Sequence, residues 1–339
     1  MKEWLMFKGS KVLVTGAGGF LGTNIAKRLV EGGSHVRGTL HVRSPQFEHQ
    51  RLEYVKADLT KMEDCRRVVE GIDYVFMCAA NTSGAAVMAT QPLAHVTPNV
   101  VMNAQMLEAS YQVKVKKFLF VSSSAAYPPS GDRQVSEEEM FAGDPYEAYF
   151  SVGWMKRYGE VLCRIYSEKI KDPMNTVVVR PSNVYGPYDK FDFERSHVTA
   201  ALTRKVIERH DPLEVWGTGD DVRDLIYVDD FVDALLLAMV RLDRFDPVNI
   251  GYGKGCRVRE VLNTLLEVDG FQEAHVVVNP TKPSMIPIRL IEVSKAKRLL
   301  GFTPKISLME GLRRTTHWYR QTCFHAKEAK QSIPHAVGI

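Results

Sequence analysis

The sequence predicts an α/β fold with a doubly wound parallel sheet and a smaller C-terminal lobe. Three observations lead to this prediction. Short β-branched, apolar runs alternate with longer helical patterns from Lys11 to Arg180. The runs are almost continuously apolar, which is typical of parallel strands covered by helices on both faces. A glycine-rich segment follows the first run, at the point where such folds bind ligands.

Six strands are predicted in the N-terminal part of the chain. The first, KVLVT (11–15), precedes the glycine-rich segment and then an amphipathic helix, which ends at Gly32 and Gly33 because glycine commonly terminates helices. Helical patterns separate the later strands. Those strands are HVRGTL (35–40), LEYVKA (52–57), DYVFMCAA (73–80), KKFLFVSS (116–123) and NTVVVR (175–180).

The glycine-rich segment TGAGGFLG places Gly16, Gly19 and Gly22 directly between a strand and a helix. Glycine permits a tight turn and a close approach of the backbone to a ligand, while helix N-terminal amides attract a pyrophosphate. Because strand, glycine triplet and helix occur together, we predict a dinucleotide cofactor held here. The helix start, Phe20 and Leu21, belongs to the same predicted site.

The end of the second strand discriminates NAD from NADP. NAD enzymes place an acid there to bind the ribose 2′-hydroxyl. This chain has RGTLHVRSP, with Arg37, His41 and Arg43 and no acid, so we predict NADP, with NAD as the alternative. The other predicted cofactor contacts follow the third and fourth strands: Asp58 near the adenine, Leu59, Ala79 and Ala80.

After Pro181 the segments become shorter and the loops longer, and prolines cluster at 280, 283 and 287. The stretch DLIYVDDFVDALLLAMV (224–240) is predicted to return to the main sheet and its helices. We therefore expect a Rossmann-type dinucleotide-binding domain from residues 1–182 and about 224–250. A substrate-binding lobe is expected from about 183–223 and 251–323, and 324–339 is expected to form a flexible tail.

Composition excludes several classes of protein. The 339 residues include 45% hydrophobic residues, enough for a sizeable core, and the net charge of +4 comes without a long basic run, so no nucleic-acid partner is predicted. The five cysteines lack zinc or redox spacing, so no metal site is predicted and free thiols are expected. Neither a membrane-spanning run nor a signal peptide is recognisable, which predicts a cytoplasmic protein without a membrane partner.

Five segments together resemble the extended short-chain dehydrogenase/reductases that act on nucleotide sugars. They are TGAGGFLG (15–22), AANTSG (79–84), FVSSSAAYP (120–128), RPSNVYGP (180–187) and RDLIYVDD (223–230). Within that family, segments 82–99, 182–202 and 215–230 are similar to the GDP-L-fucose synthase group. The resemblance implies NAD(P)-dependent oxidoreduction or epimerisation of a nucleotide-diphosphate sugar, with hydride chemistry at C4 of the hexose and GDP as the favoured nucleotide.

The resemblance assigns the proton and hydride chemistry to a Ser, a Tyr and a Lys. Lys156 matches the Lys position, because Gly159 and Glu160 follow it at the family spacing. The Tyr should stand one helical turn earlier, where this chain has Val152. Ser123, with Ser124 beside it, matches the serine that bonds the sugar oxygen.

Several groups remain as substitutes for the missing tyrosine. Tyr149 precedes Lys156 by seven residues and reaches the site if the chain unwinds there; Tyr146 is a weaker candidate, and both tyrosines are alternatively packing residues. Ser123, Ser124, His197 or a bound water are the other proton carriers. The resemblance gives His197 an epimerising acid–base role, but its cysteine partner is Ala125 here, so double epimerisation is in doubt.

The resemblance also assigns the nucleotide half of the substrate. Asn183 and Arg223 are expected to hold the diphosphate and ribose, although an ion pair of Arg223 with Asp229 or Asp230 is the competing interpretation. Trp216, Lys190 and Lys205 are expected to line the same groove.

A homodimer is expected, because family members pair two helices across a twofold axis. The helices near 92–111 and 153–170 have apolar sides that match this arrangement, unless those sides are buried within one subunit. The apolar residues are Val100, Val101, Ala104, Leu107, Val161, Leu162 and Ile165. The alternative to an enzyme is a cofactor-binding regulator or scaffold of the same fold, favoured by Val152 and Ala125.

Overall fold

The computed structural model describes residues 3–82, 91, 93–193, 196–282 and 286–324. The described helices are α1 Phe20–Glu31, α2 Met62–Val69, α3 Leu93–Gln112, α4 Phe150–Glu168, α5 Val198–Ile207, α6 Val228–Arg241, α7 Val258–Asp269, α8 Ser294–Leu300 and α9 Leu308–Tyr319. The described strands are β1 Lys11–Val14, β2 His35–Leu40, β3 Leu52–Lys56, β4 Tyr74–Met77, β5 Lys117–Val121, β6 Thr176–Pro181, β7 Asn183–Tyr185, β8 Leu213–Trp216, β9 Val222–Tyr227, β10 Val248–Ile250, β11 Gly255–Arg257, β12 Val276–Asn279 and β13 Ile288–Arg289.

The main sheet has seven strands in the order β10-β6-β5-β4-β1-β2-β3, and all of its described pairings are parallel. Strand order reverses between β1 and β4, so the carboxyl ends of these two strands flank the crevice in which such sheets bind ligands. The predicted α/β fold with a Rossmann-type doubly wound sheet is confirmed.

Apolar residues cover both faces of the main sheet. Val12 and Val14 belong to the core that α1 and α6 complete, whereas the intervening Leu13 belongs to the core beneath α2, α3 and α4. Successive strand residues point to opposite faces, so burial on both sides explains why the strands are apolar without interruption. No helix within the described residues combines the length and apolarity needed to cross a membrane.

The stretch 224–240 is only partly as predicted. Helix α6 does return to the main domain, where it packs against α1 and β6. The strand before it does not, because β9 pairs with β7, β11 and β13 in a separate small sheet. Strand β10 extends the main sheet instead, beside β6. A third, two-stranded sheet joins β8 and β12.

The C-terminal tail prediction is mostly untested. Residues 325–339 lie outside the described residues, while Phe324 ends a π-helical turn, Arg320–Phe324, that continues α9. The predicted motif segments at 83–90, 92 and 194–195 also lie outside them.

Candidate active site

The glycine turn after β1 has a backbone that side chains would disrupt. Gly16 has φ of +67°, in the left-handed region that favours glycine, and accepts a hydrogen bond at 2.8 Å from the Gly19 amide. A Cβ on Gly22 would stand 2.2 Å from the Gly16 carbonyl oxygen. The helix and the turn therefore approach each other as closely as backbone allows.

This turn suits a dinucleotide diphosphate. Gly19 precedes α1 without a side chain that caps the helix, so the first-turn amides at Phe20 and Leu21 have no side-chain acceptor from the cap. Ala79, after β4, lies against the turn: its Cα would be 3.0 Å from a Cβ on Gly16. Ala80, next along the chain, is exposed. The geometry fits a phosphate group at the N-terminus of α1.

The adenosine end of the predicted cofactor site is cationic. His41 and Arg43 follow β2 and are exposed, and the Arg43 Cβ would lie 3.2 Å from a Cβ built on Gly18 of the glycine turn. Asp58 follows β3; hydrogen bonds from the Thr60 hydroxyl and amide lower its pKa, and the charge of His41 contributes. Leu59 is buried beside it.

Arg37 does not belong to this group. It lies in the middle of β2, where its guanidinium donates to Glu53 and to the carbonyls of Val68 and Glu70. Arg37 therefore does not join His41 and Arg43 at the carboxyl edge of the sheet.

Lys156 lies at the carboxyl edge of the main sheet. Its Nζ donates to the Val121 carbonyl at 2.8 Å and stands 5.1 Å from the centre of the Phe120 ring, both on β5. Burial lowers the pKa of Lys156 to about 8, and the thiol of Cys78 at the end of β4 and the carboxylate of Glu160 offset this in part. Val152, half-buried, occupies the helical position one turn earlier.

The three serines after β5 have separate roles. Ser122 is buried and donates to the Glu160 carboxylate, so it is part of the packing beneath the site. The Ser123 oxygen accepts from the Ala125 amide at 3.1 Å and caps a short helical turn, Ser124–Ala126. Ser123 is half-buried and Ser124 is buried.

Tyr149 is outside helix α4, which begins at Phe150. It is the residue that precedes the helix, with φ of −119° and ψ of 13°, so the spacing of two full helical turns to Lys156 does not apply. Burial raises the pKa of Tyr149, and the Arg223 guanidinium opposes this shift. The hydroxyl of Tyr149 therefore lies within electrostatic range of Arg223, a residue of the smaller lobe. Tyr146, three residues earlier, is half-buried and accepts the Tyr149 amide through its carbonyl.

Gly153 determines how the chain approaches α4. A Cβ on Gly153 would lie 2.5 Å from the Pro145 Cβ and 3.4 Å from the Ala126 Cα. The segment before Tyr149 consequently crosses the first turn of α4 in direct contact. This glycine was not singled out from the sequence, and only its place between Val152 and Lys156 hinted at it.

His197 pairs with a carboxylate. Its Nδ1 lies 3.3 Å from both oxygens of Asp189, which is buried, whereas the His197 side chain is 62% exposed. The negative charge of Asp189 raises the pKa of His197. Asp189 was not predicted as a site residue, since nothing in its local sequence marks it.

Arg223 and Asn183 lie on adjoining strands of the small sheet. Strand β7 runs beside β9, and Asn183 is half-buried. The Arg223 guanidinium pairs with Asp221 at 2.9 Å, not with Asp229 or Asp230 as considered from the sequence. Asp229 contacts Arg28 instead, and Asp230 accepts backbone amides at 305 and 306.

Trp216 lies apart from Arg223, in the sheet formed by β8 and β12. Its indole donates to Glu214, and the Lys282 Nζ stands 5.4 Å from its ring. Lys205 donates to the Glu214 carbonyl at 2.6 Å, which brings it to the same cluster. Lys190 instead donates to Thr82, at the other side of the crevice.

Beneath the site is a buried ion pair that sequence reasoning missed. Arg180 on β6 contacts the Glu160 carboxylate at 2.6 Å and also donates to the Tyr127 hydroxyl and the Glu137 carbonyl. Glu160 is one turn after Lys156. Its presence in the Gly-Glu pair was noticed as spacing, but its partner lies 20 residues away in the chain.

Comparisons with known proteins agree with this arrangement. Residues 12–251 match the model of the NAD dependent epimerase/dehydratase family. A putative GDP-L-fucose synthase 2 of Arabidopsis thaliana is 30% identical over 334 residues, covering 96% of both chains. The UDP-glucose 4-epimerase of Thermotoga maritima, solved with UDP-glucose, has a TM-score of 0.82 and 29% identity, covering 92% of this chain and 99% of that one.

A second solved structure, the UDP-glucose 4-epimerase of Thermus thermophilus in complex with NAD, has a TM-score of 0.81 and 26% identity over the same shares of the two chains. The resemblance drawn from the sequence motifs is confirmed. The chain belongs to the NAD dependent epimerase/dehydratase family.

Proposed function

We propose that the protein is an NAD(P)-dependent enzyme that performs hydride chemistry at C4 of the hexose in a nucleotide-diphosphate sugar, with a GDP-sugar as the favoured substrate. The observation that supports this most is the position of Lys156, whose Nζ lies at the carboxyl edge of β5 within electrostatic range of Cys78 at the end of β4. The next residue, Ala79, lies against the glycine turn. A likeness at 30% identity to a GDP-L-fucose synthase supports the choice of GDP. The reaction is a reduction, an oxidation or an epimerisation that passes through a C4 ketone.

The nicotinamide cofactor, when bound, supplies or takes the hydride. Its diphosphate is held by the turn of Gly16, Gly19 and Gly22 with the start of α1, and Lys156 holds the nicotinamide ribose. We assign the adenosine half to the ends of β2, β3 and β4. The residues proposed there are His41, Arg43, Asp58, Leu59, Ala79 and Ala80.

The substrate is proposed to lie between the main sheet and the smaller lobe, with the domain limits expected from the sequence except that β9 belongs to the small sheet of the smaller lobe. Ser123 and Ser124 contact the sugar oxygen at C4, and Tyr149 contacts the hexose from its position directly before α4. Arg223 and Asn183 hold the diphosphate and ribose, and Trp216 contacts the nucleotide base. His197, whose pKa is raised by the charge of Asp189, is a proton carrier for a ring carbon.

NADP is the proposed cofactor form. Arg43 is exposed beside Gly18, and a guanidinium at this place forms a charge-assisted bond with a 2′-phosphate. We expect Arg43→Ala to weaken NADPH binding roughly 10- to 100-fold while NADH affinity changes less than about threefold, since such bonds contribute about 1.5–3 kcal/mol. Titration of intrinsic fluorescence with each cofactor measures both constants.

Arg37→Ala is the matched control for this prediction. Arg37 is on the same strand, but its guanidinium is bonded to Glu53 and to backbone carbonyls. It should leave the ratio of the two affinities unchanged. Equal weakening of NADH and NADPH by Arg43→Ala would refute the assignment.

Substrate screening tests the proposed function. Purified protein is mixed with NADP or NAD, oxidised or reduced, and with panels of GDP-, UDP- and dTDP-sugars, including their 4-keto forms. Absorbance in the reduced-nicotinamide band reports net redox change, and product NMR reports epimerisation. Turnover of one sugar supports the proposal. Cofactor binding with no turnover across the panels supports the regulator or scaffold instead, for which Val152 and Ala125 are the favourable observations.

We also propose that the protein is a cytoplasmic homodimer that pairs through α4. Five large apolar side chains on this helix are each more than a third exposed and recur at intervals of three or four residues, which aligns them on one face. Leu107 on α3 is buried within the subunit and is not available for pairing, contrary to the sequence-based expectation. The exposed residues are Phe150, Trp154, Tyr158, Val161 and Ile165.

Charge on this face should abolish pairing. We expect the double variant Trp154→Glu, Val161→Glu to elute as a monomer, because two buried carboxylates cost more than a helix interface gains. Light scattering after size-exclusion chromatography gives the mass directly. Arg313→Glu, which reverses an exposed charge on α9, should not change it. A wild-type monomer at tens of micromolar would contradict the proposal.

A further inference from the structure

We propose that Lys156 itself carries the proton to and from the sugar oxygen, in the role that the family gives to a tyrosine. This inference rests on the proposed function and specifies which group performs its acid–base step. It depends on three features of the described site. They are the aliphatic side chain of Val152, the hydrogen bond from the Lys156 ammonium to a neutral carbonyl, and the ion pair of Glu160 with Arg180.

Because position 152 is a valine, the site lacks the tyrosine hydroxyl whose pKa the Lys156 ammonium would otherwise lower. The two residues are one helical turn apart and share a face of α4. A valine side chain is shorter than a tyrosine side chain and has no ionisable proton. Two titratable side chains of α4 then reach the carboxyl edge of β5, Lys156 at the Val121 carbonyl and Glu160 at the Ser122 hydroxyl, and Glu160 is also held by Arg180.

The ammonium of Lys156 has no carboxylate bonded to it. Among the described residues its Nζ makes one hydrogen bond, to the neutral Val121 carbonyl, and lies over the Phe120 ring. The nearest carboxylate on the helix, Glu160, is occupied by Arg180 and Ser122. A buried amine without a bonded counter-charge loses part of its preference for the protonated form.

Burial accordingly lowers the pKa of Lys156 to about 8, so that both protonation states are populated near neutral pH. A proton carrier works best when its pKa is near the operating pH. Tyr149 differs, because burial raises the pKa of its hydroxyl, so its phenolate is scarcely populated near neutral pH and its phenol is a weak acid. The charge that acts on the Tyr149 hydroxyl is that of Arg223, in the smaller lobe. We therefore place Tyr149 in substrate contact and Lys156 in proton transfer.

The step balances as follows in the direction of reduction. The C4 carbonyl carbon receives the hydride that the reduced cofactor supplies, and the carbonyl π electron pair moves to the oxygen. That oxygen forms a bond to a proton of the Lys156 ammonium, whose N–H bond breaks and leaves its electron pair on nitrogen. The neutral amine regains a proton from water. Oxidation reverses each change.

The first test measures the lysine without turnover. Lysines of the cofactor-free protein are reductively methylated with ¹³C, and the methyl resonances are followed by NMR as pH is raised. The resonance missing from the Lys156→Arg spectrum is that of Lys156. We expect it to titrate near pH 8; titration at about pH 10 or above, as in an ordinary lysine, overturns the proposal.

The second test separates charge from titration. Lys156→Arg keeps a cation for the ribose, but arginine does not release its proton in proteins. We expect cofactor Kd within about threefold of wild type and kcat reduced at least about 100-fold, the range of general acid–base catalysis. Should Lys156→Arg also lose the cofactor, the NMR titration decides.

Tyr149→Phe distinguishes the competing carrier, with an expected loss of about tenfold or less for a lost substrate hydrogen bond. A kcat within tenfold of wild type for Lys156→Arg, with a loss above 100-fold for Tyr149→Phe, would assign the proton to the tyrosine.

In wild type, kcat for reduction should fall as pH rises through about 8, because the ammonium is the acid, and kcat for oxidation should rise. If wild type turns over no nucleotide sugar, the proposed function fails while the lysine titration still reports on this site.

Discussion

Arg180→Ala should lower the free energy of unfolding by about 3–5 kcal/mol, the range for breaking one side of a buried ion pair. Arg180 and Glu160 have side chains that are 3% and 2% exposed. Removal of the guanidinium leaves the Glu160 carboxylate buried with, among the described residues, only the Ser122 hydroxyl as a hydrogen-bond partner. It also leaves the Tyr127 hydroxyl and the Glu137 carbonyl without the Arg180 donor. Urea denaturation monitored by circular dichroism measures the change.

Arg133→Ala is the control for this prediction. Arg133 pairs with Glu139 at 2.6 Å, but the arginine side chain is 58% exposed. Exposed pairs contribute about 0–1 kcal/mol, so this variant should be close to wild type in stability. Similar losses in the two variants would show that the buried pair contributes no more than a surface pair.

Gly22→Ala should reduce cofactor affinity at least about 100-fold, as expected if two charge-assisted bonds to a diphosphate are lost. A Cβ at this position would lie 2.2 Å from the Gly16 carbonyl oxygen and 2.7 Å from its carbon. Both are backbone atoms, so no side-chain rotation relieves the clash and the turn must open. The amides at the start of α1 then no longer face the phosphate together.

Gly143→Ala is the matched glycine control. The nearest atom to a Cβ there is the Pro128 Cβ at 3.6 Å, an ordinary van der Waals contact. Isothermal titration with NADPH should give wild-type affinity for this variant, and circular dichroism confirms that both variants are folded. Binding by Gly22→Ala within threefold of wild type would mean that the cofactor does not use this turn.

The main sheet was predictable because its signal is local. Strand β2 has the predicted limits, His35–Leu40, and the other five predicted strands differ from the structure by only a few residues at their ends. Burial on both faces makes each strand a continuous apolar run, and glycines mark the turns. The same signal failed for β9, because its apolar run has the same appearance in either sheet and its pairing partners are distant in sequence.

The same distinction applies to the candidate site: residues related by local spacing were predictable, and residues brought together only by the fold were not. Lys156, Ser123 and the glycine turn were found because their spacing lies within one helix, one strand end or one turn. Asp189, Arg180 and Pro145 were missed because each acts through a partner that only the fold brings near, respectively His197, Glu160 and Gly153. The competing interpretation, an ion pair of Arg223 with Asp229 or Asp230, was wrong for a similar reason. Its partner Asp221 precedes the motif, whereas Asp229 and Asp230 lie within it.

Isotope transfer between sugar and cofactor tests the central claim most directly. The sugar identified by screening is prepared with deuterium at the hexose C4, or, for a 4-keto sugar, the reduced nicotinamide carries the deuterium at its C4. Mass spectrometry and NMR then locate the label after a single turnover. Deuterium passing between the hexose C4 and the nicotinamide C4 is the predicted result. For an epimerisation, in which the deuterium returns to the hexose C4, the reaction is quenched during the turnover and the label is sought on the nicotinamide. Conversion of the sugar by protein saturated with cofactor, with deuterium never detected on the other partner, would contradict the account.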